Sequence, residues 1–276
     1  MGMIPTRMNP LGWKPKKETG PYWGLIFTAE QANSTVQLTK VGSPADVYLD
    51  VSYDDGITWS AYTIGDTITL AAGQQICFAA RTGTTNNSFG ISDYDYYKFV
   101  LSGIISARGD ISSIRLKNKH LAKTLTMPDH CYFFMFNGCT ALTTAPELPA
   151  TTLAQQCYQR MFNGCTALTT APALPATTLK PYCYENMFRG CTSLTTAPTL
   201  PAKTLAGSSY SNMFNGCTNL NWVEVGLTSW KGTSSANWLS GVSSTGTFRC
   251  PAALGNNSTI GRGTSKCPYV WTVVNI

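Results

Sequence analysis

The most reactive side chains in this 276-residue chain are ten cysteines and two histidines. Three chemistries use such residues: disulfide bonding, zinc coordination, and attack by a thiolate beside an imidazole base. His130-Cys131 is the one adjacent pair of base and nucleophile, but neighbours in sequence rarely present both groups to one substrate. Zinc calls for C-x₂₋₄-C knuckles or several histidines, and His120 and His130 are all the imidazoles the chain has. The sequence therefore offers no catalytic residue, no metal centre and no cofactor site.

Seven of the thiols follow a period instead. Cys131, Cys157 and Cys183, with Ser209 in the next place, form one column; Cys139, Cys165, Cys191 and Cys217 form a second. On a helix, thiols eight residues apart would lie about 12 Å from one another, beyond the roughly 7 Å between Cα atoms that a disulfide tolerates. They are expected to fill a core as small hydrophobes. Cys250 and Cys267 stand outside both columns and are the candidate disulfide.

The period belongs to a repeat. MFNGCTALTTAPELPATTLAQQCYQR at 135–160 recurs almost unchanged at 161–186 and 187–212, and a fourth copy begins with MFNGCTNL at 213–220. Such self-similarity predicts a solenoid over 131–220 in units of 26 residues. Leu153, Cys157, Tyr158, Met161, Phe162 and Cys165 fall on one helical face, with Thr151 and Thr152 as N-cap and Gly164 as stop, so each unit is expected to contribute a short amphipathic helix. The proline-broken stretch after it, Ala167 to Pro175, suits one rung of a parallel sheet. Phe133 and Phe134 occupy places filled by Gln159 and Arg160 in the next unit, pointing away from the core. A terminal repeat needs a cover, so the N-terminal domain or a partner chain is expected to pack on them.

The flanks read differently. Residues 24–105 alternate in the β manner, as in Val36-Gln37-Leu38-Thr39 and Thr67-Ile68-Thr69-Leu70, which predicts a small β-sandwich, with 106–130 as linker and N-terminal cap. Within it, Ser52-Tyr53-Asp54-Asp55-Gly56-Ile57-Thr58-Trp59 matches the Asp-box hairpin of sialidases, a folding motif remote from their chemistry. Exposed Tyr94, Tyr96 and Tyr97 could stack on sugar. Arg108-Gly109-Asp110 spells the integrin tripeptide, but the isoleucines around it suggest a strand–turn–strand link. Residues 221–276, rich in tryptophan, are expected to seal the far end as a β cap. The expected fold is thus mainly β with short helices: a β-sandwich, a short leucine-rich-repeat-type α/β solenoid and a C-terminal cap.

Charged residues make up 12% of the chain, about half the usual share, giving a polar but weakly charged surface. The net charge of +6 collects in the first twenty residues and just before the repeats. Without interleaved aromatics this does not indicate nucleic-acid binding. No stretch is apolar enough to span a membrane, and the first residues lack the apolar core of a secretory signal.

The unit MFxGCTxLTTAPxLPATTLxxxCY, with LIFTAEQANSTVQLTK and DDGITWSAYTIGDTITL before it and WLSGVSSTGTF…WTVV after it, resembles the BspA-like leucine-rich repeat surface proteins of gut Bacteroidetes and of phages infecting them. The resemblance covers roughly 24–276 and implies surface attachment without catalysis. It points to a phage virion surface protein (capsid decoration, head or tail fibre), or else to a bacterial adhesin that is secreted or held on the cell surface. Residues 1–23 would then be an extended arm gripping virion or surface proteins through Trp13, Lys14, Lys16, Lys17 and Trp23. The repeats would meet a host-surface protein or glycan, through Glu147, Ala173 and Thr199 on the strand side and Gln155, Gln159, Arg160, Glu185 and Asn186 on the helix side. A homo-oligomer or lattice-bound protein is expected.

Overall fold

The computed structural model describes residues 24–86, 88–92, 94–116, 127–230, 232–256 and 258–276; the arm, with Trp13, Lys14, Lys16, Lys17 and Trp23, lies outside them. The chain is mainly β, with several sheets and almost no helix. Among the described residues no helix is long and apolar enough to cross a membrane.

Among the described residues eight strands precede the repeats: β1 (Leu25–Ala29), β2 (Ser34–Val41), β3 (Leu49–Ser52), β4 (Ser60–Tyr62), β5 (Thr67–Leu70), β6 (Gln75–Ala80), β7 (Tyr96–Ser102) and β8 (Ile105–Arg108). The alternating patterns become two antiparallel arrays, β5-β2-β7 and β4-β3-β6-β1-β8. They meet through Phe27, Phe78 and Phe99, whose ring centroids lie 4.8–5.9 Å apart in edge-on contacts.

This region then becomes the first layer of the repeats. β9 (Leu142–Thr144) adds to β8 in parallel, extending that sheet to six strands. The backbone N–H groups of Phe89, Phe99 and Ile105 donate to the carbonyls of Cys131, Met135 and Ala141 at 2.9, 2.7 and 2.9 Å. The segments 89–92 and 94–111 therefore occupy the place of a preceding coil. At the other end, β10 (Trp222–Glu224), β11 (Thr247–Cys250) and β12 (Thr272–Asn275) form a parallel sheet in which Trp222, Thr247 and Thr272 align, 25 residues apart. The stacking thus continues past residue 220, although the sequence signature fades there. Trp238 and Trp271 are fully buried, and their indole N–H groups donate to Lys266 O and Ser243 O, both at 2.9 Å.

The expected amphipathic helices are absent. Residues 155–165 run as successive turns in which the N–H groups alternate in destination. Those of Gln159, Met161, Asn163 and Cys165 donate three residues back, to the carbonyls of Gln156, Tyr158, Arg160 and Phe162. Those of Gln156, Tyr158, Arg160, Phe162 and Gly164 donate to the next coil, at Pro181, Cys183, Glu185, Met187 and Arg189, over 2.8–3.1 Å. The turns require a left-handed residue every fourth position, and Gln156, Arg160 and Gly164 have φ of 55°, 55° and 73°. The physical reason lies in the period. Buried pairs recur every four residues (Cys157-Tyr158, then Met161-Phe162, then Cys165), whereas an α-helix would rotate such pairs by about 40° at each step. Gly164 is not a helix stop but one member of a stacked column with Gly138, Gly190 and Gly216, all at φ of 73–77°.

A left-handed non-glycine residue costs about 1–2 kcal/mol. Ser208, at φ 51° in the corresponding place of the third unit, discriminates the two conformations. Ser208→Gly should stabilise this turn by up to about 1 kcal/mol, whereas in a helix interior glycine would cost about that much. Urea denaturation measures the sign, and far-UV circular dichroism should lack the helical double minimum.

Candidate functional site

Where each coil passes the strand side, Leu168, Pro172 and Leu174 are buried while Thr169, Thr170 and Ala173 face outward. Alternation about a short extended segment produces this arrangement, and parallel bridges such as Thr144 to Thr170 and Thr196 to Trp222 hold successive coils in step. Glu147, Ala173 and Thr199 are consequently all exposed, in one row. Beside the row, Ala171, Ala173, Leu174, Pro175, Pro198, Thr199 and Pro201 line an open groove of about 400 Å³. Toward the C-terminal coils the row reaches Glu224, whose carboxylate pairs with Arg249 at 2.8 Å, and the Arg249 guanidinium lies 6.0 Å from the ring centre of Trp222. Thr169 donates both its N–H and its hydroxyl to Thr143 O, at 3.0 and 3.2 Å, so the threonine ladder is tied down rather than free to rotate.

The five residues expected on the other side separate. Gln155 is exposed and Arg160 and Glu185 are half-buried, but Gln159 and Asn186 are 6% and 4% exposed. Gln159 accepts from Gln156 Nε2 at 2.9 Å and donates to Glu185 Oε2. This chain links one coil to the next through Gln159, and the burial of Gln159 and Asn186 takes both off the exposed face. Helical geometry would have left them outside; the turn ribbon folds them against its neighbours.

Phe133 and Phe134 are 0% and 8% exposed. Tyr96 stacks on Phe134 with centroids 4.8 Å apart and meets Phe133 edge-on at 6.0 Å, while the Arg160 guanidinium lies 5.2 Å from the centre of the Phe134 ring. The residues that cover them thus come from β7 of this chain and from the next coil.

Cys250 and Cys267, the candidate disulfide, are separate buried thiols with partners of their own. Arg262 Nη1 donates to Cys267 Sγ at 3.2 Å, and Cys250 Sγ lies 3.7 Å from Gly255 O. All ten cysteines are buried, and none is joined in a disulfide. Burial pushes the Cys131, Cys139, Cys183 and Cys217 thiols up to about 12, and Cys267 to about 11. Thiols held so far from ionisation are poor nucleophiles near neutrality. Among the described residues no group of three or more His, Cys, Asp or Glu converges as a metal centre.

The remaining motifs resolve locally. The Asp-box is a closed hairpin: Thr58 donates its N–H and hydroxyl to the Asp54 carboxylate at 2.8 and 2.6 Å, and Trp59 Nε1 donates to Gly56 O at 2.9 Å. Asp110 of the integrin tripeptide is 7% exposed and accepts from the N–H and hydroxyl of Ser112, capping a 3₁₀ turn over Ile111–Ile114. Of the three tyrosines, Tyr94 is 81% exposed, Tyr96 is engaged by the phenylalanines and Tyr97 is buried.

No family model, curated protein or solved structure matches this chain.

Phe133→Ala should destabilise the chain by about 3–5 kcal/mol, measured by urea denaturation, because it opens the joint between β7 and the first coil. The Asp-box should be acid-sensitive. Hydrogen bonds from Thr58, the hydroxyl's first, hold the Asp54 carboxyl below its ordinary 3.8. Its contribution is therefore present above that value and is lost as pH falls through the folded-state value. Asp54→Ala should lower the thermal midpoint at neutral pH, with the deficit shrinking as the pH is taken below about 4.

Proposed function

We propose that this chain is a non-catalytic display protein of a phage virion, a capsid decoration protein or head or tail fibre, whose repeats attach to a host or gut surface. In this reading residues 24–105 are a β-sandwich, and the coils after them are a leucine-rich-repeat-type solenoid with turn ribbons in place of helices. The observation that carries it is the row Glu147, Ala173 and Thr199. Its side chains are exposed and differ from coil to coil, while the buried columns beneath are almost copied. A scaffold that keeps its core and varies one outward row is built for contact.

Ten buried cysteines, none joined in a disulfide, favour the virion over a secreted adhesin. Phage proteins assemble in a reducing cytoplasm, whereas export to an oxidising compartment favours disulfides. The arm would serve as the virion anchor and the row as the contact face for a surface protein or glycan.

Mass spectrometry of purified phage particles should recover peptides from 1–23 together with peptides from the repeats. Recovery of the repeats only from host outer-membrane fractions would sink the virion reading and favour the adhesin. Glu147→Ala with Thr199→Ala should leave the thermal midpoint nearly unchanged and weaken adsorption to host cells at least several-fold; unchanged adsorption would remove this row from the contact.

A further inference from the structure

Two strand edges lie open, and their surroundings are opposite in charge. Among the described residues the six-stranded sheet ends at β4 and the parallel C-terminal sheet ends at β12, each with one neighbouring strand. An edge offers a row of backbone donors and acceptors to another strand. Both edges here are flanked by bare apolar side chains. Beside β4 the Asp-box hairpin carries Tyr53 and Ile57, the latter 80% exposed; beside β12 stand Tyr269 and Val270, 75% and 68% exposed, together with Val274 and Ile276. Apolar groups bared in clusters mark contact surfaces.

Charge then selects the partner. Residues 24–105 have eight acidic side chains and three basic ones, whereas residues 225–276 have four basic side chains and no acidic one. Asp55 and Asp66 are exposed on either side of β4, and the Tyr62 hydroxyl donates to Asp66 O at 2.6 Å, holding that residue against the strand. At the other edge Arg262 Nη1 donates to Pro268 O and Trp271 O, both at 2.8 Å, which fixes the guanidinium beside the segment that bears Tyr269 and Val270. Lys266 in the same loop is exposed. Two β12 edges brought together would set these cations against their own kind, whereas β12 against β4 sets them against carboxylates.

We propose that the β4 edge receives the β12 edge of a second copy of this chain, so that copies join head to tail. Strand adds to strand through the backbone, Tyr53 and Ile57 cover part of Tyr269, Val270 and Val274, and Lys266 and Arg262 face Asp55 and Asp66. The two surfaces differ, so the contact is heterologous, and a joined pair still offers one free head and one free tail. Glu147, Ala173 and Thr199 take no part in the joint, which therefore does not depend on what that row contacts.

Sedimentation velocity of the full chain tests this. The weight-average mass should rise with concentration in about 0.1 M salt, where charges act over about 10 Å, and fall back toward that of one chain in about 1 M, where they act over about 3 Å. Ile57→Lys with Asp66→Lys alters the head, and Lys266→Glu with Val270→Glu alters the tail. All four positions are exposed, so both variants should keep the parent's thermal midpoint; the salt dependence of the parent needs no variant and stands if one fails to fold. Each variant alone should remain a single chain, and the two mixed should associate, because the mixture holds a native head and a native tail. A parent that stays a single chain at every concentration, or a mixture that does, would overturn the proposal. So would association of the head variant alone, which would make the contact β12 to β12, or of the tail variant alone, which would assign the acidic edge to the basic residues of 1–23.

Discussion

Everything in the stacked part of this protein depends on one hydrogen-bond constraint: alternate amides of each coil must find carbonyls on the coil one repeat away. Gln156, Tyr158, Arg160, Phe162 and Gly164 satisfy it toward the next unit, while the intervening amides close turns. Both sets of amides are thereby paired without a helix. The left-handed residues are the strain this arrangement carries, and they fall mostly on glycine, asparagine and polar side chains, with Phe134 and Tyr182 as the exceptions. A buried amide left unpaired would cost about 1–3 kcal/mol, comparable to the strain at each such turn, and the ribbon satisfies several amides for every strained residue.

Keeping the coils in step has a second effect: like stacks on like. Phe99, Phe136, Phe162, Phe188 and Phe214 form a continuous file with centroids 5.3–5.6 Å apart, and the tyrosine file runs beside it to Trp238. Thiols, glycines and threonines are columnar for the same reason. A column makes its members cooperative, since a misfit in one coil displaces the register of its neighbours. It also separates scaffold from message. The interior repeats because it must, and the outward row at Glu147, Ala173 and Thr199 varies because nothing beneath constrains it.

An in-register stack exposes a bare end, and the N-terminal region resolves that problem by acting as a coil. β8 pairs with β9, Phe99 enters the phenylalanine file, and Tyr96 covers Phe133 and Phe134. The hydrophobic core consequently runs from Leu25 to Val273 as one cluster, and a change at the joint is felt on both sides of it.

The residues alone specified the repeat and its length, the cysteine columns, the β character of the flanks, the Asp-box hairpin and the anomaly at Phe133 and Phe134, because each is a matter of local pattern or period. They also held the clue to the ribbon, a burial period of four with Gly, Asn or a polar residue at fixed places, but four and 3.6 are close enough over eleven residues to be mistaken. What only the tertiary structure decided is where each amide goes. Once the partner is the neighbouring coil rather than the preceding turn, Gln159 and Asn186 fold inward and Gly164 becomes a turn residue instead of a stop. The same long-range pairing turns Asp110 into a buried cap and carries the stack on through β10, β11 and β12. Partner choice between segments 25 or 26 residues apart is a property of the assembled ladder, and no local window of sequence contains it.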